Sequence, residues 1–497
     1  MIRTSVAIVG AGFAGLGMAG ALRRAGRDDF VLLERAASVG GTWRDNTYPG
    51  VACDVPSHLY GFAAHPNPRW SATFAPGPEI HRYLADVAER VERGPRLRLR
   101  TPMLGAEWDA AAAVWRIDTG AEPVVADALV LGCGRLTEPN VPAIAGLETF
   151  PGAIFHSARW DHDIPLAGAR VAVVGTGASA VQIVPELARI ARSVTLFQRT
   201  PAWIVPRGGS HYSDEEQRRF AEHPGELARL RADLYAEGEA RFASRSGDAA
   251  ASADARDIAL AHLSAQIADP ALRAALTPDY TFGCKRVLLS DDFYPAVASD
   301  AVTLEPSALA AVEGSTLVSA DGARFDADVL VLATGFAASR QPYADLVRGE
   351  DGMSLGEHWS SGMSAFASTV VAGFPNMFVL NGPNASLGHN SSVLMIEEQA
   401  AYVVRSLALR DRQPGGVLRV RPEAEQAYTS ELVAAAASTP WLTGGCSNWY
   451  VDDRSGRLTL LWPGTVQAFR ERLAAADGSE FACVPTPLRG GRTGGDT

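Results

Sequence analysis

The chain opens on an alternation of apolar runs and glycine-rich turns. Residues 5–9 (SVAIV) are uninterrupted apolar, the pattern of a strand buried on both faces of a parallel sheet. Gly10-Ala-Gly12-Phe-Ala-Gly15 follows at once, then small and apolar residues that read as a helix to Arg24. A second apolar run, Phe30 to Leu33, ends at Glu34. The same order returns in mid-chain. VAVV at 171–174 leads into Gly175-Thr-Gly177-Ala-Ser179-Ala180, a helix through Arg189 and a strand from Val194 to Phe197. Two further buried runs, Asp127 to Leu131 and Asp328 to Leu332, each end in a small-residue turn and read as return strands to the two sheets. From Ser210 to Leu276 the pattern becomes charged, alanine-rich helix without strand signals.

Strand, glycine turn, helix, strand is the order of a dinucleotide-binding half. The pattern therefore predicts an α/β chain with two Rossmann-like dinucleotide-binding domains. One is discontinuous, residues 1–145 and 371–497. The other spans 146–370 and carries a helical insert at about 208–280. Residues 485–497, ending GGRTGGDT, read as a mobile tail. Ser5 to Leu22 is apolar enough to imitate a membrane segment, but its glycines belong to a turn and it lacks a cationic leader. The expectation is a cytoplasmic protein without a membrane partner.

Composition narrows this little. Of 497 residues, 47% are hydrophobic and 20% charged, as in ordinary globular proteins. A net charge of -11 without long basic runs excludes a nucleic-acid footprint. Cys53, Cys133, Cys284, Cys446 and Cys483 stand far apart in sequence with no CxxC pair. That spacing suggests neither a zinc site nor a redox-active disulfide, and it fits a reducing compartment. A disulfide reductase, which also holds two nucleotides, would need a cysteine pair.

A GxGxxG turn cradles pyrophosphate because missing side chains permit a tight bend and close backbone approach, while the helix N-terminus supplies N–H donors. Gly10, Gly12 and Gly15 form one cradle; Gly175, Gly177, Ser179 and Ala180 form the other. Their ends differ. Glu34 stands 24 residues after Gly10, and Arg199 stands 24 residues after Gly175. A carboxylate there accepts from ribose hydroxyls, whereas arginine suits a 2′-phosphate. The first site is thus read for a plain adenosine ribose and the second, with Arg199 and Thr200, for NADPH. A nicotinamide site needs an electron acceptor, which makes FAD the reading of the first.

Two longer motifs carry a resemblance. Phe150-Pro-Gly152-Ala-Ile-Phe-His156-Ser-Ala-Arg-Trp160-Asp161 and Gly40-Gly41-Thr42-Trp43-Arg-Asp-Asn-Thr-Tyr48-Pro-Gly50-Val-Ala-Cys-Asp54 match both fingerprints of the type I Baeyer–Villiger monooxygenases. The chain resembles that family from Val6 to about Arg470. The resemblance implies that FAD, NADPH, dioxygen and a ketone meet in one enzyme, which forms an ester or lactone through a flavin peroxide. It assigns Asp54 to support Arg286, whose guanidinium stabilises the peroxide anion and then the carbonyl oxyanion. Lys285 would assist Arg199 at the 2′-phosphate. Gly41, Thr42 and Trp43 would line the flavin site, and the loop Asn381 to Asn390 would close over the flavin ring. Trp441 would touch the nicotinamide nucleotide, with Trp449 competing for that role. Phe150, Gly152, His156, Trp160 and Asp161 would link the two nucleotide domains, as a coupling element or as a structural corner. Gly132-Cys133-Gly134 departs from the family's usual Ala-Thr-Gly, which puts one local hydroxyl bond in doubt. Oxygenation of sulfur or nitrogen is the nearest alternative reaction, and a non-catalytic flavin redox sensor is the remoter one. The particular ketone, and the oligomeric state, are not legible.

Overall fold

The computed structural model describes residues 1–91, 94, 96–412 and 416–485. Two sheets organise it. In the larger, strands run edge to edge as Val347–Arg348, Gly105–Asp109, Val114–Asp118, Val124–Leu131, Ile2–Val9, Phe30–Leu33 and Leu97–Arg98, and Met377–Val379 also pairs with Val124–Leu131. Ile2–Val9 lies between parallel partners on both sides. That position explains its unbroken apolar run, since Ala7 and Ile8 have no exposed surface. The smaller sheet is wholly parallel, in the order Val302–Glu305, Ser193–Phe197, Arg170–Val174, Val329–Leu332, Ala153–His156.

Both glycine turns and both return strands therefore stand where the apolar pattern puts them. An antiparallel meander through Gly105–Asp109 and Val114–Asp118 adds to the first sheet. Its alternation buries Ala106 and Trp108 and leaves Glu107 exposed. The chain rejoins the first sheet at Val347–Arg348, earlier than the expected 371. Two residues of edge strand leave no periodicity to read.

The insert contains helices Asp214–Glu222, Pro224–Ala240, Ala249–Gln266 and Pro270–Ala275, with a single turn at Ala243–Ser246. Ser213 and Glu216 form a reciprocal capping box at the first, and Asp248 and Asp269 cap the later two. Of the expected tail, Pro485 ends the strand Phe481–Pro485 and residues 486–497 lie outside the described residues. Among the described residues no helix is long and apolar enough to cross a membrane.

The cysteine reading needs correction. Cys284 and Cys446, 162 residues apart, form a disulfide with a Cα–Cα separation of 6.2 Å. Sequence distance concealed a pairing that the fold creates. Cys53 and Cys133 are free.

Candidate active site

At the first turn Gly10 has φ +95°, and a Cβ there would stand 2.6 Å from Gly132 O. A Cβ on Gly15 would lie 1.8 Å from Gly10 O, so helix Phe13–Arg24 can leave the sheet this closely only from a glycine. Gly12 and Gly41 face one another; a Cβ on Gly41 would meet Gly12 Cα at 3.3 Å. Glu34 is buried. It accepts from Ala11 N (2.9 Å), Ala36 N (2.9 Å) and Arg44 Nη1 (3.0 Å). Two carboxylate oxygens offer about four acceptor positions, so capacity remains for a ribose hydroxyl. Gly10, Gly12, Glu34, Gly41, Thr42 and Trp43 line one cavity of about 280 Å³, which Cys133, Tyr343 and Asn381 also border. Trp43 Nε1 donates to Tyr60 OH (3.2 Å), and Phe13 meets the same ring edge-on. Cys133 directs its thiol to Val9 O at 3.8 Å, so the position without a hydroxyl still makes a weak contact.

The second turn repeats the geometry. Gly175 has φ +108° and would meet Ala333 O at 2.6 Å through a Cβ, whereas nothing lies within 4 Å of a Cβ on Gly177. Ser179 and Ala180 stand in the first turn of helix Ala178–Ile190. Thr176 Oγ1 donates to Thr200 O (2.8 Å), tying the glycine turn to the end of the neighbouring strand. Arg199, Thr200 and Lys285 line a cavity of about 680 Å³ together with Gln198, Tyr280 and Cys446. Burial and the neighbouring Arg199 lower the Lys285 pKa. Two cations thus share one cavity with Asp279, and Arg199 makes no ion pair among the described residues.

The two units meet through the second fingerprint. Tyr48 OH donates to Gln182 Oε1 (3.0 Å), and Gln182 Nε2 donates to Ala52 O (3.0 Å). Gly50 lies so close to the same helix that a Cβ would stand 2.7 Å from Gln182 O. Just beyond, Asp54 Oδ2 accepts from Arg286 Nε (2.9 Å) and Nη2 (2.6 Å). Asp54's negative charge raises the Arg286 pKa above the usual arginine value, so the cation persists throughout the working pH range. Arg286 Nη1 makes no hydrogen bond among the described residues. Sequence reasoning missed Tyr450, a buried ring whose hydroxyl feels the charges of Arg286, Arg245 and Asp54. Burial pushes its hydroxyl up to about 12, which keeps it neutral. It also missed Arg207, whose Nη2 donates to Cys53 O (3.1 Å). Single arginines and tyrosines carry no local signal.

The first fingerprint forms a corner. A Cβ on Gly152 would stand 2.1 Å from Asp328 O. Phe150 is buried, and Trp160 packs edge-on against Phe155 (4.9 Å). His156 Nδ1 accepts from Ala158 N (3.0 Å), and burial lowers the ring's pKa. Asp161 Oδ1 accepts from Asp163 N (3.0 Å), and His162 Nε2 meets Thr47 Oγ1 (2.8 Å), joining the two fingerprints. Two expected residues are placed elsewhere. Asn390 turns its amide to Glu239 Oε1 (3.1 Å) and Tyr235 O (3.3 Å), so its side chain clasps the insert and not the flavin cavity. Trp441 is buried in a small core with Tyr450 and Leu461, while Trp449 is 39% exposed and is the more accessible ring.

Two glycine cradles, an acid at the end of one and paired cations at the end of the other, fit FAD and NADPH respectively and define a two-dinucleotide flavoprotein. The flavin-binding monooxygenase-like family matches residues 3–215. A Baeyer–Villiger monooxygenase of Streptomyces coelicolor is 45% identical across 99% of this chain and 96% of its own. Another, from Pseudomonas aeruginosa, is 42% identical across 97% and 92%. Among solved structures, OTEMO in complex with FAD and NADP superposes with a TM-score of 0.84 at 26% identity, over 97% of this chain and 99% of that one. The chain belongs to the Baeyer–Villiger monooxygenases. It is an FAD-dependent NADPH monooxygenase.

Proposed function

We propose that the chain inserts one oxygen atom beside the carbonyl of a ketone at the Asp54–Arg286 pair. Ketone, dioxygen, NADPH and a proton give ester or lactone, NADP⁺ and water. FAD, when bound, takes the hydride from NADPH and activates dioxygen. The protein's own residues do the rest. Glu34 receives the adenosine ribose of FAD, and the N–H groups behind Gly10 to Gly15 receive its pyrophosphate. Gly175 to Ala180 receive the nicotinamide coenzyme's pyrophosphate, and Arg199 with Lys285 its 2′-phosphate. Asp54 Oδ2 holds the Nε–Nη2 edge of the Arg286 guanidinium and leaves Nη1 to donate to the negative charge that develops on oxygen.

The observation that carries this reading is the fixed carboxylate–guanidinium pair where the two nucleotide units join. Turnover of a ketone panel under isotopically labelled dioxygen tests it. One labelled oxygen in each ester, matched by one NADPH consumed, is the expected result. Sulfoxide from added sulfides with no ester from any ketone would replace the reading by heteroatom oxygenation.

A further inference from the structure

The pocket assigned to the 2′-phosphate is walled by two segments far apart in sequence. One borders it at Asp279, Tyr280 and Lys285, the other at Gly445, Cys446 and Ser447. Lys285 stands on the first wall and Cys446 on the second, and both line the cavity. Cys284, wholly buried and adjacent to Lys285 in the chain, is bonded to Cys446, which is half-buried. Their Cα separation of 6.2 Å sits inside the usual span of about 4.4–6.8 Å. The seam is close elsewhere too. Thr281 N donates to Gly444 O at 2.9 Å, and a Cβ on Gly444 would stand 2.8 Å from Cys284 Cβ. Asn448 Nδ2 donates to Trp441 O (2.8 Å), folding the second wall on itself.

Lys285 needs such a wall. Its ammonium lies 5.1 Å from the Tyr280 ring and faces the like charge of Arg199 across the same cavity. Without a phosphate between them, those cations repel one another. A free segment would let Lys285 swing toward water.

We propose that the Cys284–Cys446 disulfide is a positioning element of this pocket. It holds Lys285 on the Arg199 side and so favours a coenzyme that bears a 2′-phosphate. The proposal rests on the reading of Arg199 and Lys285 as phosphate contacts. A dithiol opens the bond in two exchanges. One reagent thiolate attacks Cys446 Sγ and Cys284 leaves as thiolate; the second reagent thiolate displaces Cys446, and the reagent departs as a cyclic disulfide. Both protein sulfurs end as thiols, carrying the two protons the reagent gave up. Hydrogen peroxide reverses this, taking two electrons and two protons from the thiols and leaving as two waters.

The test uses FAD-loaded enzyme, oxidised or treated with dithiothreitol. Alkylation and mass measurement count its thiols, and calorimetry gives the Kd for NADP⁺ and NAD⁺. Unfolded in denaturant, two of the five cysteines should resist alkylation until reduction. Reduction should then weaken NADP⁺ by about threefold or more, the low end of coupling between neighbouring groups. NAD⁺ should weaken less, and peroxide should restore both. Cys446→Ser should match the reduced enzyme and no longer respond to dithiothreitol. An unchanged Kd for NADP⁺, an equal loss for NAD⁺, or five free thiols before reduction would overturn the proposal. Arg199→Ala separates the two ideas. If it removes the preference for NADP⁺ while reduction does not, the disulfide's role alone fails. If it leaves the preference intact, the reading of the pocket fails.

Discussion

At the first nucleotide turn the terminal acid is buried and already held by two backbone N–H groups and Arg44; at the second, the terminal arginine is open and faces another cation. The backbones beneath them are nearly the same. Gly10 and Gly175 both carry positive φ, and each would strike a return-strand carbonyl at 2.6 Å through a Cβ. Close packing therefore sets the shape of both cradles, while the strand-end residue sets what each can hold. Glu34 is built in and does two jobs, closing its own loop and offering an acceptor. Arg199 does one, and its site is completed by Lys285 from a distant segment. The first unit should resist change at its glycines and acid, and the second should be tuned without loss of fold.

The largest expected effect falls where the units join. Arg286→Ala should lower ester formation by about 10²–10³, the range seen when one oxyanion donor is removed. FAD should remain bound, because both glycine cradles lie apart from this residue. Arg286→Lys should rescue poorly, since an ammonium cannot present the planar fork that Asp54 grips. Product analysis on FAD-loaded variants checks this, and full ketone activity in Arg286→Ala would remove the residue from its assigned role.

The glycine turns offer a direct contrast. Gly15→Ala drives a methyl into Gly10 O and should cost about 3 kcal/mol or more, with weakened FAD retention. Ala180→Gly, at the equivalent place in the second turn, should cost about 1 kcal/mol through lost helix propensity. Thermal unfolding of the two holo-variants measures the difference. Equal costs would mean that the turns are not packed differently.

Arg199→Ala should weaken NADPH by roughly ten- to a hundred-fold, as expected for loss of a charge-assisted contact of about 1.5–3 kcal/mol. NADH binding and FAD content should change little. Coenzyme titrations settle it, and equal losses for NADPH and NADH would place Arg199 away from the 2′-phosphate.

A smaller effect, lost in acid, concerns the clasp between the insert and the first unit. Burial alone would raise the Glu239 pKa. Hydrogen bonds from His389, Gln467 N, Val466 N and Asn390 outweigh it and hold the pKa at about 2. A depressed carboxylate stabilises the fold above its unfolded pKa, and that stability is lost as pH falls from about 4.5 toward 2. Glu239→Gln should lower stability at neutral pH and flatten the acid limb, so that variant and parent converge as pH falls toward 2. An unchanged acid limb in the variant would show that the clasp does not titrate there.

The sequence by itself determined the turns, the return strands, the helical insert and the contrast between Glu34 and Arg199. Each is encoded within about 25 residues by apolar runs, obligatory glycines and the residue at a strand end, so local sterics and hydrogen bonding suffice to specify it. The Asp54–Arg286 pair was legible only through the family fingerprint, because its partners are 232 residues apart. What tertiary structure alone decided are contacts whose partners share no local pattern. Tyr48 and Gln182 join the units, Cys284 meets Cys446, Asn390 turns to Glu239, and the chain returns to the first sheet at Val347. Such pairings depend on how two sheets and an insert pack together, and close packing is a property of the assembled chain that no short stretch of residues contains.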